Sequence, residues 1–313
     1  MLTYQRSIGG WPKAIGNIKV DYNKVLSIVE KQVIIDDAGR NDATIDNNAT
    51  TKEIKYLVKA YKKTKNTAYL NAAEKGISYL LKAQYANGGW PQFYPDSSSY
   101  RSQVTFNDNA IVNVLNVLQD VVEQKNGFDA VDKSYIDKSS QAVKKAIDCI
   151  LATQVKVNGK LTAWAAQYDK QTLKPAKARA FELVSLCSAE SVGIVEFLMR
   201  LPQPSESIKK SIQAAVEWLD LVKIPGYKFV DIKDDKQPNG TDRVLIKQEG
   251  NITWARFYTI ETNEPLFSGR DSAPKKTVAE IEHERRNGYA WYGEWPSKLL
   301  TEKYPEWKKK NSQ

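Results

Sequence analysis

The sequence is nearly devoid of sulfur and imidazole ligands, with two cysteines and one histidine in 313 residues. Cys149 and Cys187 both fall in helical patterns and read as buried free thiols. They cannot form a zinc site alone, and His283 adds little. Long apolar runs are missing too. None approaches the roughly 20 residues of a membrane span, so no membrane partner is expected. Met1-Leu2-Thr3-Tyr4-Gln5 lacks the charged, apolar and cleavage regions of a signal peptide. Negative charge is in deficit: 37 acidic residues stand against 46 Lys and Arg, a formal net charge of +9. The excess points to an acidic partner. The basic residues are scattered and no nucleic-acid motif accompanies them. A polyanionic sugar fits better than nucleic acid.

What is present is a globular composition, 42% hydrophobic and 27% charged. The length suffices for one large domain or two. The organising stretch is Asn107-Asp108-Asn109-Ala110, directly before apolar positions 111, 112, 114, 115, 117 and 118. A side-chain acceptor followed by an apolar helical period marks a helix start. Three Asn and Asp in a row exceed what one cap needs, which makes Asp108 a candidate for chemistry. The pattern recurs at Asp46-Asn47-Asn48, before a helix expected over 54–65. Thr50 and Glu53 have capping-box spacing. If the two helices are neighbours pointing the same way, Asp46 and Asp108 lie at one end of the fold.

Read in order, the chain starts a short helix over 21–31. A helical hairpin follows through 84, with Ile54, Leu57, Val58 and Tyr61 on one face and Tyr69 to Leu81 on the next. A second hairpin pairs 108–124 with 133–154, and a third pairs 188–201 with 208–222. Segments 229–232 and 243–247 flank Asn239-Gly240 as a small β-hairpin with a long loop. A helix is expected over 277–286. The aromatic stretch 289–296 should pack the chain end back, and Lys308-Lys309-Lys310 should be a solvated tail.

Trp11, Trp90, Trp164 and Trp254 recur with an irregular period of about 80 residues, each in a loop at a hairpin end. Hairpins that bury one face must pack on their neighbours. The expected fold is all-α dominated: an α/α toroid of three helical hairpins with long aromatic-rich loops and the small β-hairpin. The tryptophan loops, with Trp11 read as exposed, are expected to share a cleft where sugars stack. Plain core packing is the alternative for each tryptophan alone.

Loops and helix starts at one hairpin end supply Lys13, Asp46, Asp108, Lys177, Arg179, Arg256 and Arg270. Loop-borne charges on a rigid scaffold carry function more often than core residues do. Two carboxylates can be a glycosidase acid/base pair or hard oxygen ligands for Ca²⁺. The cations favour an anionic substrate, since guanidinium groups hold carboxylates in a bidentate fork.

The segments Gly9-Gly10-Trp11-Pro12-Lys13, Thr44-Ile45-Asp46-Asn47-Asn48-Ala49, Thr105-Phe106-Asn107-Asp108-Asn109-Ala110, Lys177-Ala178-Arg179-Ala180-Phe181-Glu182-Leu183, Trp254-Ala255-Arg256-Phe257-Tyr258 and Phe267-Ser268-Gly269-Arg270-Asp271 stand in this order. Together they resemble the pectate lyases of polysaccharide lyase family 10, over nearly the whole chain. The resemblance implies an α/α toroid that cleaves polygalacturonate by Ca²⁺-assisted anti β-elimination. It implies Asp46 and Asp108 as metal ligands and Arg179 as the catalytic arginine. Lys13, Arg256 and Arg270 would hold substrate carboxylates, with Asn107, Lys177 and Trp11 as further substrate-binding candidates. It also implies one catalytic domain over 1–313, trimmed from a larger exported protein that is secreted or periplasmic. A monomer is expected. Two other classes stay open on residues alone: an inverting glycoside hydrolase using the carboxylates as acid and base, and a non-catalytic binder of acidic glycans.

Overall fold

The computed structural model describes residues 1–96 and 98–311. The chain divides into two compact units, Met1–Ile150 and Leu151–Gln313. The first holds helices α1 (Ile28–Asp36), α2 (Thr51–Thr64), α3 (Thr67–Ala83) and α4 (Ala110–Glu123), and most of α5 (Ser134–Thr153). The second holds α6 (Ser188–Arg200), α7 (Glu206–Leu221), the short α8 (His283–Asn287) and α9 (Tyr304–Asn311).

The hairpins form where the 3.6-residue period predicts them. α2 and α3 reverse in two residues. Lys65 adopts a left-handed conformation and donates its N–H to the Tyr61 carbonyl, and Asn66 accepts from the Ala68 amide. Ile54, Leu57 and Val58 of α2 are buried against α3, which approaches closely at Gly76. A Cβ there would lie 2.6 Å from Ile54 Cγ1, so glycine sets the helix spacing.

Two local expectations fail in this unit. The first helix starts at Ile28, because Ser27 and Glu30 form a reciprocal capping box, while Asp21 closes an Asx turn onto the Asn23 amide. Thr50 and Glu53 form no such box. The Thr50 hydroxyl donates to the Thr44 carbonyl and accepts the Trp11 amide, and Glu53 turns inward to the Tyr22 hydroxyl at 2.6 Å. Tertiary partners outcompete the local cap.

In the second unit the β-hairpin is longer than expected, Ile224–Lys233 against Thr241–Ala255. Val230 faces Val244 and Asp231 faces Arg243. Tyr292–Gly293 adds a third strand against Trp254 and Ala255, so the aromatic end does pack back onto its own unit. The helix expected over 277–286 is broken: Ile281 and Glu282 are extended, separating a turn at Val278–Glu280 from α8. The terminal lysines lie in the last turn of α9, exposed but helical.

One side-chain device recurs three times. The Gln5 amide donates to the carbonyls of Gly9 and Ala72, Gln84 to those of Gly88 and Ala142, and Gln154 to those of Thr162 and Ser211. Each glutamine thus ties its own return loop to the second helix of a hairpin. Tryptophans of the return loops add to these ties. Trp90 and Trp254 donate their indole N–H groups to Leu80 and Leu219, near the ends of α3 and α7. In the third repeat a two-strand outgrowth, Lys156–Val157 with Lys160–Leu161, separates Gln154 from Trp164.

Candidate active site

In the first unit the two acidic turns before α2 and α4 touch each other, as expected if those helices start side by side. The Asn113 amide of α4 donates to Asn48. The turns superpose with their carboxylates one position out of step. Asp46 is the first residue of its turn and Asn47 the second, left-handed at φ 50°. In the other turn Asn107 is first and Asp108 is the left-handed second, also at φ 50°. Asn and Asp tolerate that conformation better than other side chains. Asp46 and Asp108 are therefore adjacent but not equivalent.

Asp46 is buried, and its carboxylate accepts the Lys13 ammonium. Asn107 is buried and donates to Asp108 Oδ2 at 3.2 Å. Asp108 is half-exposed. Trp11, expected on the surface, is fully buried. Its indole N–H donates to the Met1 carbonyl and its ring stands over Gly76. All four loop tryptophans are core residues, so sugar stacking on Trp11 is withdrawn. The aromatic beside the cations is Phe93, with Lys13 at 5.8 Å and Arg101 at 4.7 Å from its ring centre. Arg101 went unread, although it closely follows the Gly88-to-Pro95 loop.

In the second unit the cations interleave with aromatic rings. Arg179 opens a tight turn closed by the Glu182 amide. Its guanidinium donates to both Glu182 oxygens, at 2.8 and 2.5 Å. It lies 4.9 Å from the Phe181 ring centre and 5.7 Å from that of Tyr289. The Tyr289 hydroxyl donates to Glu182 at 2.9 Å. Burial pushes the Glu182 carboxyl up, but the Arg179 and Tyr289 hydrogen bonds and the Arg179 charge outweigh it and leave it below its ordinary value.

Arg256 also packs on Tyr289, 5.0 Å from the ring centre. It lies between Ala255 and the short strand Phe257–Tyr258, which pairs with Leu186–Cys187, and its guanidinium reaches Glu190 in the first turn of α6. Cys187 also donates to Glu190, and burial raises that thiol well above its ordinary value. Both cysteines are free and buried, as the composition suggests. Tyr289 thus joins the two arginines, and burial raises its phenol.

Arg270 is exposed and binds Glu284 at 3.1 and 2.8 Å. Arg285 shares the same carboxylate and covers Phe181 at 4.8 Å. The two guanidinium groups, Arg285 first, hold the Glu284 carboxyl down to about 2. Lys177 is exposed and makes no ion pair among the described residues. His283 binds the Thr241 carbonyl and takes no part in these clusters. Among the described residues no group of three or more His, Cys, Asp or Glu is placed to hold a metal.

In each unit the cations hold internal carboxylates. The family profile described as pectic acid lyase matches residues 5–300 and runs through both units. The chain belongs to the pectic acid lyase family. Two solved structures agree. An Asp-to-Ala mutant of a family 10 polysaccharide lyase from Cellvibrio cellulosa, in complex with trigalacturonic acid, is 33% identical with a TM-score of 0.85. The match covers 100% of this chain and 91% of that one. A second structure of the family 10 lyase from the same organism matches at 33% identity and TM-score 0.85, covering 99% and 90%. The search of curated proteins gives no match. The fold is thus that of a polysaccharide lyase, rich in helices. No helix among the described residues is long and apolar enough to cross a membrane.

Proposed function

We propose that the chain is a Ca²⁺-dependent pectate lyase that cleaves α-1,4-linked polygalacturonate by anti β-elimination. The observation that carries the reading is 33% identity over the whole chain to a family 10 lyase in complex with trigalacturonic acid. Galacturonate carries its C5 proton beside a carboxylate. Removing it builds negative charge on that group, so cations aimed at the carboxylate lower the barrier. The C5 proton passes to a base and its electron pair forms the C4=C5 double bond. O4 departs with the electrons of the C4–O4 bond and takes up a proton. The product is a 4,5-unsaturated oligogalacturonate.

In the second unit Arg256 and Arg270 hold substrate carboxylates, which exchange with Glu190 and Glu284 as partners. Lys177 adds an exposed charge. Arg179 takes the C5 proton. Its Glu182 pair opposes that role, since a carboxylate favours the charged guanidinium. Substrate binding must loosen the pair, and alkaline solution favours the neutral form.

In the first unit Asp46 and Asp108 suit Ca²⁺, because two carboxylates on touching turns are hard oxygen donors. They are too few for the roughly six to eight oxygens that Ca²⁺ takes. Substrate and water would complete the set, and the ion would take the place of the Lys13 ammonium on Asp46. An ion held there would supply charge neutralisation to a uronate carboxylate, which acidifies the proton beside it. Asn107 positions Asp108, and Lys13 then turns to substrate. An α/α toroid belongs to the same proposal, supported by three hairpins with one glutamine brace.

The test is polygalacturonate with Ca²⁺ or with chelator, read by ultraviolet absorbance of the unsaturated product. Saturated products would overturn elimination. Undiminished rates in chelator would overturn the metal.

A further inference from the structure

Beside the Asp46–Asn48 turn lies a cavity of about 600 Å³, within the roughly 300–1,000 Å³ of small-ligand sites. Three ammonium groups, Lys13, Lys19 and Lys52, and three amides, Asn17, Asn47 and Asn48, line it, and no carboxylate does. The lysines come from separate places. Lys13 precedes and Lys19 ends a small hairpin of Ala14–Ile15 and Ile18–Lys19, closed where the Val20 amide donates to the Lys13 carbonyl. Lys52 stands in the first turn of α2.

The fold has little use for two of these charges. Lys52 opposes the positive end of its helix dipole. Among the described residues it is steadied by the Tyr22 ring at 5.7 Å and by Glu53 at 3.6 Å. Burial raises the Glu53 carboxyl, which weakens it as a counter-charge. Lys19 is exposed and makes no ion pair among the described residues. Converging cations, one with no ion pair among the described residues and one with a long contact to a weakened carboxylate, fit an anionic ligand.

We infer that this cavity is an accessory subsite for a uronate residue of the polymer, beyond the sugars held at Asp46, with Lys19 and Lys52 as its carboxylate-binding groups. The inference rests on the proposed function. Lysines on flexible stems follow a carboxylate as the sugar chain bends, and the asparagine amides can both donate to and accept from its hydroxyls. The subsite is reached only by longer oligomers.

The test is calorimetric binding of digalacturonate and hexagalacturonate in Ca²⁺, alongside cleavage rates. Lys19→Gln/Lys52→Gln should raise the Kd for hexagalacturonate about tenfold and leave digalacturonate unchanged. Lys19→Gln alone, which disturbs no buried group, should give part of that loss. Lys63→Gln, the same charge change at the far end of α2, is the control. Hexagalacturonate affinity at the wild-type level in the double variant, or an equal loss in the control, overturns the subsite. Cleavage without lysine-dependent binding sinks the subsite alone. Lysine-dependent binding without any cleavage sinks the lyase reading and leaves the subsite standing.

Discussion

Arg179 and Glu182 are locked together across one tight turn. The guanidinium gives two hydrogen bonds to the carboxylate, and the Arg179 amide gives a third at 3.2 Å. Glu182→Gln removes a negative charge that favours the charged form of this guanidinium. A base must be neutral to work, so the rise of kcat with pH should move to lower pH in the variant. An unmoved profile would take proton abstraction away from Arg179.

Asp46→Ala and Asp108→Ala should each cost at least about a hundredfold in turnover, the scale of losing a group that stabilises developing charge. The melting temperature should change little for Asp108, which is half-exposed, and more for buried Asp46. Calcium titrations of rate on both variants check this. Wild-type turnover in either one would remove that residue from the site.

Acid stability should depend on Asp242. Arg286 donates to it at 2.7 and 2.8 Å and holds its carboxyl down to about 2, from an ordinary 3.8. The folded value is the lower one, so the contribution is full above about pH 4 and is lost as pH falls toward 2. Asp242→Asn should lose stability at neutral pH and lose less on acidification. Melting curves between pH 2 and 7 report it, and parallel curves for both proteins would refute the linkage.

Gln84→Ala should cost about 1–3 kcal/mol, because two carbonyls lose a donor. Urea unfolding measures it. A smaller loss would mean that water replaces the amide.

The helical hairpins were legible because Ile54, Leu57 and Val58, or Ile111 to Leu118, repeat with the helical period and are buried as that period demands. The brace was legible too, and went unread: Gln5 and Gln84 each stand four residues before a Gly-Gly-Trp. What sequence could not carry was choice of partner. Glu53 meets Tyr22 instead of capping with Thr50, and Arg256 finds Glu190 from far along the chain. The tryptophans misled for a related reason. An aromatic in a Gly-rich loop can serve core or ligand equally well, and only the carbonyl that takes its N–H decides.

The outgrowth between Gln154 and Trp164 has one more consequence. Both anchors of the repeat stay in place on either side of it, and the space beside Gly159 is open. That tip is a ready port for splicing in foreign sequence, such as an affinity tag or a fluorescent reporter, because length added there leaves both clasps closed.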